Sequence, residues 1–99
     1  MNEEKTEVTI KLLGNTEVHF AYTPDEHNIA AAAKIVELKA YTLHKQKFDP
    51  TGRAFWKARE RQANGWLASI AVTPLSPEKC QKLIADIERL LKPKREQTA

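Results

Sequence analysis

The stretch RAFWKARERQANGWLASIAVT, residues 53–73, decides the fold because it reads two ways. As a helix, it places Trp56, Ala63, Trp66, Leu67 and Ile70 along one side, and Arg53 to Gln62 is rich in helix formers. As a hairpin, it has a strong turn signal in Asn64-Gly65, whereas Gly65 inside a helix costs about 1 kcal/mol relative to alanine. A three-residue loop, Ala63-Asn64-Gly65, would pair Trp56 with Val72, Ala58 with Ile70 and Gln62 with Trp66, a mostly apolar face. Lys57, Arg59 and Arg61 would then project from the opposite face, across from Ala71, Ser69 and Leu67. The hairpin is the preferred reading. The helical alternative turns the chain into one hairpin plus three helices.

Upstream, Glu7–Leu13 alternates with Val8, Ile10 and Leu12 on one side, and Glu17–Tyr22 alternates with Val18, Phe20 and Tyr22. Both read as half-buried strands. Because a one-residue slip moves every side chain to the other face, the apolar pattern selects an odd loop. Gly14-Asn15-Thr16 serves, pairing Leu12 with Val18, Ile10 with Phe20 and Val8 with Tyr22. Thr23-Pro24-Asp25-Glu26 reads as a helix start, with Thr23 as cap, Pro24 in the first turn and Glu26 closing a capping box. That helix should run to about Lys45 and carries two stripes. One is Ile29, Ala33, Val36, Ala40 and Leu43; the other is Ala31, Ile35, Leu38 and Thr42. The second stripe calls for the other helix, or for a second copy of the chain in a homodimer.

Residues 47–52 form a loop. After Thr73-Pro74, Ser76-Pro77-Glu78 opens a last helix, with Leu75 and Cys80 set for a hydrophobic staple. Its apolar face is Cys80, Leu83, Ile84, Ile87, Leu90 and Leu91. The expected fold is α+β, in the order ββαββα: a four-stranded, mainly antiparallel sheet with both helices on one face. A chain of 99 residues suits one domain, here residues 7–92, with 1–6 and 93–99 as flexible termini.

Composition narrows the function classes. A single cysteine, Cys80, excludes an internal disulfide and favours a reducing compartment, so a cytoplasmic protein is expected. The opening residues lack a signal-peptide pattern, and the longest apolar run, Ile29 to Ala33, is too short to cross a bilayer, so no membrane role is expected. The histidines His19, His27 and His44 stand at no metal-ligand spacing with Cys80, so no metal or other cofactor is expected. Cys80 on an apolar helix face reads as a small hydrophobe, and no serine or glycine pattern suits nucleophilic or phosphate chemistry. The chain does not read as an enzyme.

Charge distribution carries the positive signal. The chain has net charge +3, but residues 1–26 carry Lys5 and Lys11 against six carboxylates. Residues 45–61 carry Lys45, Lys47, Arg53, Lys57, Arg59 and Arg61 against Asp49 and Glu60. Such a row suits phosphates along a duplex. The expectation is therefore a small binding module that grips duplex DNA through a basic hairpin, using Lys57, Arg59, Arg61, Arg53, Lys45, Lys47 and, on the first hairpin, Lys11. On the helical reading, Arg53, Lys57 and Arg61 form an i, i+4 stripe with the same use. Phe55 is the one aromatic expected on the exposed face, which argues against a base-stacking sheet. The alternative is a protein-binding adaptor or inhibitor whose partner is an acidic surface.

Overall fold

The computed structural model describes residues 7–13 and 15–91. It holds a hairpin of strands β1 (Val8–Leu12) and β2 (Thr16–Phe20) followed by three helices. These are α1 (Glu26–Phe48), α2 (Arg53–Val72), entered through a 3-10 turn at Pro50–Gly52, and α3 (Pro77–Leu91). The class is α+β, but the order is ββααα, and the sheet has two strands rather than four. The expected second hairpin is the helix α2, so ββαββα with both helices on one face of a four-stranded sheet is corrected.

The physical reason lies at Ala63. The hairpin reading put it in a loop, yet it is 0% exposed, and so is Ile70 two turns on. A methyl side chain at the centre of α2 lets that helix lie close against α1, its main neighbour. Ile70 stood on the apolar face of the hairpin reading as well, so the burial of Ala63, together with the helix formers of Arg53 to Gln62, separates the two readings and outweighs the helix cost of glycine. Asn64 and Gly65 sit on the solvent side, and a Cβ built on Gly65 would meet nothing within 4 Å.

The hairpin β1–β2 is antiparallel, pairing Leu12 with Thr16, Ile10 with Val18 and Val8 with Phe20. The loop has three residues, as the pattern requires, but they are residues 13–15 rather than 14–16. The register thus moves by two, which keeps the faces: Val18 and Phe20 are buried beneath half-buried Val8, Ile10 and Leu12. Tyr22 lies beyond β2 instead of within it. Its ring meets Phe20 edge-on at 5.6 Å.

α1 is the central element, packed on both α2 and α3. Its cap is Asp25 rather than Thr23: the carboxylate accepts from the Asn28 backbone N–H at 2.8 Å. Glu26 is then the first helical residue and cannot close a capping box. The helix also runs three residues past Lys45, and Asp49 N–H closes it on the Lys45 carbonyl at 2.8 Å. The stripe Ala31, Ile35, Leu38 and Thr42 is wholly buried inside one chain, so it offers nothing to a second copy. Ala40 and Leu43 of the other stripe are exposed.

The start of α3 follows the sequence. Lys79 N–H donates to Ser76 Oγ at 3.2 Å, and Cys80 and Leu75 both join the core. The tails at 1–6 and 93–99, expected to be flexible, lie outside the described residues.

Candidate nucleic-acid interface

α2 places the cations because its apolar side chains fix its rotation. Ala63 and Ile70 are buried in the core on the side of α2 that packs on α1, with Trp66 and Leu67 packed against it, which turns the opposite side to solvent. Arg53, Lys57 and Arg61 all lie on that exposed side, one turn apart. At 1.5 Å of rise per residue they cover about 12 Å of helix. Ala54, Ala58, Asn64, Gly65 and Ala68 on this face are short and exposed, but it also carries Val72, 66% exposed, and half-buried Glu60, which accepts from Gln46 Nε2 at 3.0 Å. Among the described residues, none of the three cations forms an ion pair; those present are Lys34 with Glu37 and Glu88, and Arg89 with Asp86. Arg53 Nε donates to the Gln46 carbonyl at 3.2 Å, near the end of α1, where a cation is favoured by the helix dipole.

The remaining expected residues divide. Lys45 and Lys47 stand in the last turn of α1, beside the start of α2. Lys45 Nζ lies 5.6 Å from the Tyr41 ring centroid and Lys47 Nζ lies 5.7 Å from that of Phe48. Arg59 leaves the exposed stripe and is half-buried, with its guanidinium carbon 5.1 Å from the Phe55 centroid. Its Nε is buried and has no hydrogen-bond partner among the described residues, so ring stacking holds it in place of a carboxylate. Lys11 is not part of this surface. It lies on the hairpin, opposite Glu17, and the hairpin meets α2 at the far end, where Ala21 N–H donates to the Ala71 carbonyl at 2.7 Å. The expected partnership of Lys57, Arg59 and Arg61 across from Ser69 and Ala71 does not occur, since all five are on one helix.

Phe55, the aromatic expected on the exposed face, is 50% exposed, and the end of α1 adds rings that the sequence reading missed, with Phe48 66% exposed. Phe55 meets Trp56 edge-on at 4.8 Å, Trp56 meets Tyr41 at 5.3 Å, and His44 lies 4.7 Å from Phe48. Tyr41, His44 and Phe48 share the i, i+3, i+7 spacing of one helix face, a signal lost when 47–52 is read as loop.

The other candidate groups stand elsewhere. Cys80 is buried, and burial first, then the charge of Asp25, pushes its thiol above the ordinary range. His19 pairs with Thr9 Oγ1 at 2.7 Å. Among the described residues no three of His, Cys, Asp and Glu gather in a metal-binding group, and no helix is long and apolar enough to cross a membrane. The chain matches no known family model, no curated protein and no solved structure.

Proposed function

We propose that this protein is a small non-enzymatic module that binds duplex DNA through the solvent face of α2. The observation that carries the proposal is the row Arg53, Lys57 and Arg61, exposed on one helix and free of ion pairs among the described residues. An α-helix fits the major groove, and the short side chains around the row let phosphates approach the helix closely. Lys45 and Lys47 extend the positive surface at the helix start. Asn64 lies on the same face, where its amide suits a base edge.

Reversing the row tests the reading. The double variant Lys57→Glu, Arg61→Glu should lose saturable binding to a mixed-sequence duplex while its circular dichroism stays that of the parent, because both side chains are exposed. Unchanged affinity would overturn the proposal.

A second reading, a protein-binding adaptor, draws on one other feature. An open groove of about 250 Å³ between α2 and α3 is lined by apolar Trp66, Leu75 and Leu83 and by two cations, Lys79 and Lys82, against one carboxylate, Asp86. That combination fits an acidic protein segment with an apolar anchor. Its test is whether Lys79→Glu, Lys82→Glu releases a partner that nuclease treatment leaves bound.

A further inference from the structure

We infer that the open edge of β1 pairs with the same edge of a second copy of this chain, Thr9 against Thr9 across a two-fold axis, so that one antiparallel sheet runs through both copies. The inference is independent of the nucleic-acid reading, since β1 belongs to the hairpin and the cation row to α2. Among the described residues β1 pairs with β2 alone, so its other edge has no strand neighbour. Such an edge is a template for another strand. Two backbone hydrogen bonds fix which groups it offers. Thr16 N–H turns toward the β1 side, onto the Leu13 carbonyl at 3.3 Å, and Ala21 N–H turns away, onto the Ala71 carbonyl at 2.7 Å. By alternation, Thr16, Val18 and Phe20 bond with Leu12, Ile10 and Val8, and the peptide groups of Glu7, Thr9 and Lys11 face the open edge.

Burial shows that this side of the hairpin is left partly uncovered. On its apolar face, Val18 and Phe20 of β2 are buried, whereas Val8, Ile10 and Leu12 of β1 are only half-buried. The helices thus cover β2 and reach only part of the way beneath β1. A neighbouring strand with apolar side chains on the same face would complete the cover, and the chain's own sequence supplies one. In an antiparallel pair centred on Thr9, Val8 faces Ile10 of the second copy and Glu7 faces Lys11 of the second copy, each twice by symmetry. Opposite charges and β-branched apolar side chains directly across from one another are stabilising cross-strand pairs. Glu7 and Lys11 are both exposed, and among the described residues neither forms an ion pair. Charges of one sign on an edge repel a second copy; these two, set symmetrically about Thr9, attract it. A register centred on Ile10 loses the match, because Glu7 then faces Leu13 and Lys11 faces Thr9.

Sedimentation equilibrium of the full chain over a wide range of concentration tests the inference. The parent should associate reversibly to twice its mass. Glu7→Lys and Lys11→Glu, made singly, each bring like charges face to face twice and should weaken association about tenfold or more, with the circular dichroism of the parent. The double exchange Glu7→Lys, Lys11→Glu restores both pairs and should restore association. An equimolar mixture of the two single variants should associate more tightly than either alone. A loss caused within one chain, where Lys11 lies opposite Glu17, would persist in the double variant. A parent that stays monomeric at every concentration overturns the inference. So does association that the single variants leave unchanged, or that the double variant fails to recover.

Discussion

The Asn28 side chain pairs with both backbone polar groups of Leu75. Its Oδ1 accepts from the Leu75 N–H at 2.8 Å, and its Nδ2 donates to the Leu75 carbonyl at 3.1 Å. The same amide donates to Asp25 Oδ1 at 2.9 Å, and the Tyr22 hydroxyl oxygen lies 3.3 Å from its Oδ1. Asn28 is 1% exposed, so a buried amide with both N–H groups and its oxygen hydrogen-bonded ties the start of α1 to the α2–α3 link. This knot sets where α3 begins.

Asn28→Ala should therefore destabilise the protein by about 2–4 kcal/mol, since it removes the acceptor of the half-buried Leu75 N–H and leaves the Leu75 carbonyl only the weak Cys80 thiol. Urea unfolding followed by circular dichroism measures it. A loss near zero would mean that water replaces the amide and that the link is not fixed there.

Tyr22 closes the same region from the strand side. Its hydroxyl donates to the Ile70 carbonyl at 2.6 Å, one of the carbonyls left over at the end of α2. Burial first, then Asp25 and Cys80, raise its ionisation above the ordinary value of 10.0. A raised folded value means that the neutral phenol stabilises the fold, fully so below the unfolded value, with the benefit lost as pH rises through the folded value. Stability should thus fall above about pH 10, where free tyrosine ionises, and Tyr22→Phe should flatten that limb at a cost of about 1 kcal/mol at neutral pH. Thermal melts across pH 9 to 11 test this.

Asp25 has the opposite sign. Its hydrogen bonds from the Asn28 side chain and backbone, aided by His27, hold its carboxyl below the ordinary range. Its contribution is present above the unfolded value of about 4 and fades as pH falls through the folded value. Asp25→Asn keeps an N-cap oxygen and should make unfolding less steeply dependent on acid. An unchanged acid limb would show that other carboxylates govern it.

Gly65 bears on the fold itself. In the middle of α2, with open space where a Cβ would go, Gly65→Ala should stabilise the protein by about 0.5–1 kcal/mol. In a hairpin loop that needs a left-handed residue, the same change would destabilise. The direction of the shift in urea midpoint distinguishes the two.

Much of this was legible in the residues. The alternation of Val8, Ile10, Leu12, Val18 and Phe20 specified a hairpin with an odd loop and the right faces, because parity is all that burial enforces; the shift by two was left free. Ser76-Pro77 marked α3 correctly because its cap and staple are local. The stretch 53–72 misled for the converse reason. Asn64-Gly65 is a local turn signal, whereas the burial of Ala63 that overrides it comes from α1, which is distant in sequence. The cationic cluster at 45–61 was visible as charge alone. What the fold adds is its division: Arg53, Lys57 and Arg61 share a face, Arg59 stacks on Phe55, and Lys11 stands apart on the hairpin.

The most direct test of the DNA-binding reading is the affinity of the unmodified protein for a mixed-sequence duplex at about 50 and about 200 mM salt. With about four phosphates neutralised by α2 and the end of α1, affinity should fall roughly 100-fold between the two. No saturable binding at the lower salt, or an affinity indifferent to salt, would contradict the account and reduce the α2 row to solvated surface.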